Sequence, residues 1–481
     1  MKQNIYKIAI ISLLFFCFAE SFAQRNNTLY FMKDMPQSML VNPTVERKYN
    51  IFIGFPVLNS VYFNADNTGF SFNNLLKDAS PIESLHELDF FDTDLDIGLI
   101  NFGFRVKDMY FSMDLNLKNS IQISYPGDFG KFLWEGNQNN RNLNLDNFGF
   151  DVNIYNELAF GFAKDSIDIY GRNLKIGGKA KILFGILNIE TKKSEIAFKT
   201  DERTAFWNFE TDILVNTSTI KPLTVEEDEY GNRGGDNSET FNNIGAGDFS
   251  ATDNLGFAFD LGASYQIKDD VLLSASLIDF GFINWTSGVS NFEIKNNFEI
   301  KGVNLSNEIN TSVNTDAFQE FLDTLESVSE IKETNNSYVA FLSPKIYLGA
   351  TYNLVNENNA NIDFGVLTRT KIEKQHFRTS LSLSANMLFA KFLSFSTSYS
   401  LMNYNYSNLG IGIGIRASVF QFYFITDNVL AVSYKQTRNV GMRFGFNLVF
   451  GNSKNYNKKK KNIIIEDKLK EDKLREDTDL Y

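Results

Sequence analysis

The chain is short of almost everything that enzymes and helical membrane proteins rely on. Its 481 residues include one cysteine, two histidines and seven prolines. The lone Cys17 excludes a disulfide framework and thiolate metal sites. His86 and His376 leave little material for acid–base chemistry. Beyond the first two dozen residues no apolar run approaches the ~20 residues that a membrane helix needs. There is no basic surplus either: 46 Lys+Arg stand against 58 Asp+Glu, for a net charge of -12. That balance argues against nucleic acid as a partner. An aromatic content of 15% also excludes a disordered chain, which has too little apolar surface to bury.

What is present begins with an export signal. Lys2 and Lys7 precede the apolar run Ile8–Phe18, and Ser21-Phe22-Ala23 supplies small residues at its exit. Residues 1–23 therefore read as a signal peptide cleaved before Gln24, which removes Cys17 with it.

The body alternates. In 257–267, Phe257, Phe259, Leu261, Ala263, Tyr265 and Ile267 are separated by small or polar residues. The pattern returns at 271–277, 379–389, 392–401, 409–417 and 441–450, and more weakly at 97–105, 109–117, 153–163, 173–184, 205–215, 345–354, 361–370, 419–425 and 429–435. With the run 50–57 this gives roughly 14 strands, each near the ~9–11 residues that a tilted strand needs to cross a bilayer. One face is Phe, Leu, Ile and Tyr; the other is Ser, Gly, Asn and Thr. An apolar face suits lipid and a polar face suits a lumen. Strands in hydrocarbon must close on themselves to pair every backbone group. The expected fold is all-β: a transmembrane antiparallel β-barrel with short helices in extramembrane loops. A soluble sandwich or solenoid is the rival, with shorter strands.

Four segments follow. Residues 1–23 are the signal, 24–49 an N-terminal plug or periplasmic segment, 50–451 the barrel and 452–481 a charged periplasmic tail. Inside the barrel, 216–254 and 287–336 read as long polar loops, the second with a short helix around Phe318, Phe321 and Leu325. Another short helix is expected near 80–88, capped by Ser80 and containing His86. Asp92-Thr93-Asp94-Leu95-Asp96 superficially resembles a calcium loop. Ile97 stands where that loop needs glycine, so an acidic loop leading into a strand is expected instead. Gly410, Gly412 and Gly414 share the inward face with Lys179, Lys181, Arg416 and Arg443, where they would allow tight coiling and leave room for a plug. Ser274 faces inward on the same parity, which predicts tolerance of a charge there. No catalytic residue, cofactor or metal site is assigned. His376 and Ser380 lie too far apart along a strand to act together.

Several motifs occur together. They are Thr28-Leu29-Tyr30-Phe31-Met32 with Asn42-Pro43; Ser276, Asp279, Gly281, Phe282 and Trp285; the turn Asp427-Asn428; and a final strand containing Phe444, Phe446 and Phe450. In this order they resemble an uncharacterised family of Bacteroidota-type outer-membrane barrels. That family is distantly similar to the long-chain fatty-acid transporter superfamily and to barrels associated with type IX secretion and gliding. The resemblance implies an outer-membrane location, lipid and the barrel-assembly machinery as partners, and Phe444, Phe446 and the strand-ending Phe450 as the assembly signal. It implies passage of small hydrophobic or amphipathic molecules or, alternatively, a scaffold in an envelope complex with an envelope protein docked on 452–481. A lipid hydrolase is a remote third reading.

Overall fold

The computed structural model describes residues 26–45, 47–71, 84–135, 142–201, 206–219, 253–300, 331–356, 360–374, 376–390, 392–402, 405–432 and 438–451. Its strands are β1 (Ile51–Gly54), β2 (Val61–Asn67), β3 (Leu88–Val106), β4 (Met109–Pro126), β5 (Asn142–Asn144), β6 (Gly149–Ile169), β7 (Arg172–Thr200), β8 (Trp207–Ser218), β9 (Leu255–Lys268), β10 (Val271–Trp285), β11 (Val289–Ile300), β12 (Ile331–Thr334), β13 (Tyr338–Phe341), β14 (Lys345–Asn356), β15 (Ala360–Ile372), β16 (Phe377–Phe389), β17 (Leu393–Met402), β18 (Asn405–Ala417), β19 (Phe420–Thr426) and β20 (Asn439–Phe450).

These strands fill fourteen positions of one closed antiparallel β-barrel, as the alternation predicts. Several positions are interrupted. β1 and β2 both lie between β20 and β3. β5 and β6 share one side of β7, and β8 and β9 share the other. β10 continues as β11, and β12, β13 and β14 descend beside them. The ring is sealed where Ile51 meets Phe450 and Asp66 meets Asn439, joining the first wall position to the last.

The faces are inverted relative to a soluble protein. Phe257, Phe259, Leu273, Phe282, Phe364, Leu383, Phe422 and Phe424 are exposed. Ser264, Ser276, Ser382, Ser398, Asn447 and Arg443 are buried. Phe444, Phe446 and Phe450 alternate with the buried Asn447 and Val449 on β20, so they face outward. Connections at one end are short, as at Lys107-Asp108 and Tyr170-Gly171. Tyr170 and Gly171 both have positive φ (51° and 73°), the backbone that suits a two-residue hairpin. The other end carries the long connections, among them the helix Gly127–Glu135, which the alternation does not reveal.

Several expectations are corrected here. The acidic run Asp92–Asp96 is strand, not loop, because β3 begins at Leu88. Of the helix expected over 80–88, residues 80–83 lie outside the described residues, 85–87 are not helical and Leu88 opens β3. Residues 289–300, expected as loop, form β11 and extend the wall with β8 and β12 beyond the barrel proper. Residues 429–432, expected as strand, are a 3-10 turn. The helix expected around Phe318, the signal 1–23 and the tail 452–481 lie outside the described residues.

Candidate functional site: the filled lumen

The lumen is occupied by the segment that precedes β1. Residues Asn27–Phe31 form one helical turn and Pro36–Leu40 a 3-10 turn, and nearly every side chain of both is buried. The wall receives this plug with hydroxyls and glycines. Asn27 donates to Ser380 (3.1 Å) and Ser382 (2.9 Å), Thr28 bonds Ser398 (2.8 Å), and Tyr30 bonds Ser274 (2.8 Å). Gln37 and Asn447 exchange two side-chain hydrogen bonds, at 2.8 and 3.0 Å. A Cβ at Gly410 would stand 2.3 Å from the Thr28 hydroxyl, and one at Gly412 2.3 Å from the Met32 sulfur. Those glycines are the space into which the plug fits. Ser274 is therefore not an open lumen position, and the expected tolerance of a charge there does not survive: its hydroxyl is the partner of Tyr30.

Most motif residues converge on this contact. The Asp427 carboxylate accepts the backbone N–H groups of Asn26 (2.8 Å) and Thr28 (2.9 Å), fixing the start of the helical turn. Asn428 ties β19 to β20 through the Asn439 amide (2.6 Å). Asn42 Oδ1 accepts from the Thr44 N–H and hydroxyl, an Asx turn around Pro43, and Thr44 bonds Ser264. Ser276 donates to the Val41 carbonyl (2.6 Å).

β10 breaks its alternation between Leu277 and Phe280. Asp279 takes φ 59°, and both Ile278 and Asp279 turn inward while Phe280 and Phe282 resume the outer face. Ile278 joins the apolar cluster around the plug. Asp279 meets Lys181 and Lys345, each at 2.5 Å, and its N–H donates to Asp260. Lys181 also pairs with Asp260 (2.8 Å) and Glu157 (3.2 Å). A Cβ at Gly281 would lie 2.2 Å from the Phe257 carbonyl, so this register admits only glycine. Trp285 is fully buried in a cluster with Tyr155, Leu183 and Ile283.

Above the plug, the turn between β15 and β16 reaches across the lumen. Arg378 pairs with Asp92 of β3 and with Glu373 (2.6 Å). Gln122 of β4 donates to Glu373 (3.1 Å). Lys374 pairs with Asp151 of β6 (2.6 Å) and with Glu190 of β7. His376 stacks on Phe90 with ring centroids 4.1 Å apart and pairs with Glu373 (2.6 Å). Burial works against charge on Glu373, yet Arg378 and Lys371 hold its carboxyl well below the ordinary carboxylate range. Burial likewise opposes the Lys374 charge, and Asp151 and Glu190 outweigh it, raising that ammonium's pKa. His376 is thus part of an ionic cluster, whereas Ser380 serves the plug; the two do not form a dyad.

Beside this turn lies a cavity of about 390 Å³. Its wall includes Phe150, Phe282 and Phe341 together with Asp151, Glu373 and His376. The charged turn and its partners are not among the sequence expectations. Their signal is nevertheless present: Asp92, Asp94 and Asp96 alternate on one strand, and Arg369, Lys371 and Arg378 hold the inward parity on two others.

Residues 43–427 match the profile of a family of unknown function, DUF5723. No curated protein matches the chain. Among solved structures it is similar to the toluene transporter TbuX of Ralstonia pickettii, at 8% identity and a TM-score of 0.39 over 86% of this chain and 94% of that one. It is also similar to the toluene transporter TodX of Pseudomonas putida, at 8% and 0.31 over 90% and 93%. The translocator domain of the autotransporter NalP from Neisseria meningitidis matches at 9% and 0.32, over 86% and 93%.

Proposed function

The chain belongs to the DUF5723 family of unknown function, and from that premise we propose an outer-membrane β-barrel that passes small hydrophobic or amphipathic molecules. The cavity beside the β15–β16 turn carries the reading. Its volume of about 390 Å³ is that of a small-ligand site. Its wall joins exposed outer-face aromatics, Phe282 and Phe341, to the polar lumen groups Glu373 and His376. Such a lining suits a molecule with one apolar and one polar end. The apolar exterior supports the membrane location: a soluble periplasmic monomer would not present Phe257, Phe259, Phe364 and Phe422 to water together.

The test is uptake of an apolar fluorescent probe by liposomes containing the purified protein. Uptake above that of empty vesicles, reduced by Phe282→Asp, is the expected result; equal uptake with and without protein overturns the reading.

The filled lumen favours a second reading, a non-transporting scaffold in an envelope complex. The plug is hydrogen-bonded to β9, β10, β16, β17 and β20, and nothing in those contacts resembles an open path. Partners recovered with the full chain but lost on removal of 452–481 would support the scaffold and its tail.

A further inference from the structure

We propose that Glu373, Lys374 and His376, with Arg378 at the start of β16, form a latch that closes the long-connection end of the lumen from the inside. The wall order carries this. β15 and β16 stand on the side of the ring opposite β3, β4, β6 and β7. Two side chains of this short turn and one at the start of β16 nevertheless meet all four of those strands: Glu373 with Gln122, Lys374 with Asp151 and Glu190, and Arg378 with Asp92. His376 adds a stacked ring on Phe90 of β3.

The span is held by side chains alone. The backbone bonds of the turn are local, Glu373 N–H to the His376 carbonyl (3.0 Å), or go to the neighbouring strand connection, Ile372 N–H to the Pro344 carbonyl (2.8 Å). No ladder joins β15 or β16 to the far wall among the described residues. Phe377 and Arg378 open β16 and stay paired with Ile372 and Lys371, so only Glu373, Lys374 and His376 can withdraw; that breaks their ion pairs and hydrogen bond and one stacked ring and leaves every strand pairing intact. The contacts are graded in depth. Arg378 and Asp92 are shut away from solvent, at 0% and 1% side-chain exposure, whereas Lys374 remains 42% exposed. Water reaches the outer pair first, so Lys374 is where the latch starts to open.

The device governs access to the cavity whichever reading of the function holds, so its test reads labelling rather than transport. Ser343 lines that cavity and also the small charged one beneath it. Ser343→Cys in the full chain is treated with a membrane-impermeant maleimide from outside intact cells, against the wild-type background. Slow labelling is expected, and Lys374→Glu should accelerate it at least 10-fold by repulsion from Asp151 and Glu190. Equal rates with and without Lys374→Glu overturn the latch. If Lys374→Glu does not assemble, a second arm decides. Lys374→Cys with Asp151→Cys is treated with a bifunctional thiol reagent whose span matches a lysine side chain. An intrachain link, found by mass spectrometry, supports the closed latch; its absence overturns it.

Discussion

The two halves of the lumen are lined differently. From β16 round to β20 the inward face includes Ser380, Ser382, Ser398, Gly410, Gly412 and Asn447: small, and neutral apart from Arg378, Arg416 and Arg443. From β3 to β10 it carries Asp92, Asp94, Asp114, Glu157, Lys179, Lys181, Asp260 and Asp279. The neutral half leaves space, and the chain fills that space with its own N-terminal segment. The charged half is paired ion by ion, partly from within and partly by Lys345 of β14 and Arg378 of β16, and needs long side chains to reach a partner. Small hydroxyl-bearing walls thus make a socket, while charged walls make a mesh. A buried mesh is intolerant of partial removal, because each ion left behind lacks both its partner and water.

That contrast can be broken from either side. The largest effect is expected for Lys181→Met, which strips the central cation from Asp260, Asp279 and Glu157, all nearly fully buried. Removing one partner of such a network costs ~3–5 kcal/mol. The folded band on a heat-modifiability gel should largely disappear, and a normal yield would show that the mesh does not hold this half. Gly410→Leu probes the socket. Its side chain must displace Thr28 or Ser398, at ~1–3 kcal/mol. The barrel should still assemble, but proteolysis within residues 26–45 should become measurable; unchanged protection would mean that the plug is not seated by that glycine. The smallest effect belongs to the wall extension beyond the barrel. Lys199 and Glu210 lie 3.9 Å apart and are 59% and 61% exposed. Lys199→Ala should change stability by no more than ~0.5 kcal/mol, read as an unmoved urea midpoint in detergent. A clear shift there would blur the distinction between buried mesh and surface pair.

The barrel itself is legible because its outward face repeats at period two over strand after strand. Phe257, Phe259 and Leu261 announce a wall without any tertiary information. What does not show are features that depend on residues distant in sequence. Asp92, Asp94 and Asp96 look out of place in a strand until Arg378 and Lys118 are seen facing Asp92 and Asp96. The bulge at Ile278 and Asp279 is hidden because a change of parity over two residues looks like noise in an alternating pattern. Ser274 reveals its face through its parity, and a face does not reveal what stands opposite it. The motif residues stand out as a set along the chain, but only the folded barrel shows why several belong together. Asn42, Ser276 and Asp427 each hold part of the plug.

The plug also bears on how the molecule is made. Residues 26–49 leave the ribosome before any stave, and β20, which meets both β1 and β2, leaves it last. In the closed ring the plug is enclosed by the seam that β20 makes with β1 and β2, so the order in which cork and hoop come together bears on yield. A rearranged chain carrying 26–49 behind residue 450 would reverse the order of synthesis, and its yield would measure how much maturation depends on that order.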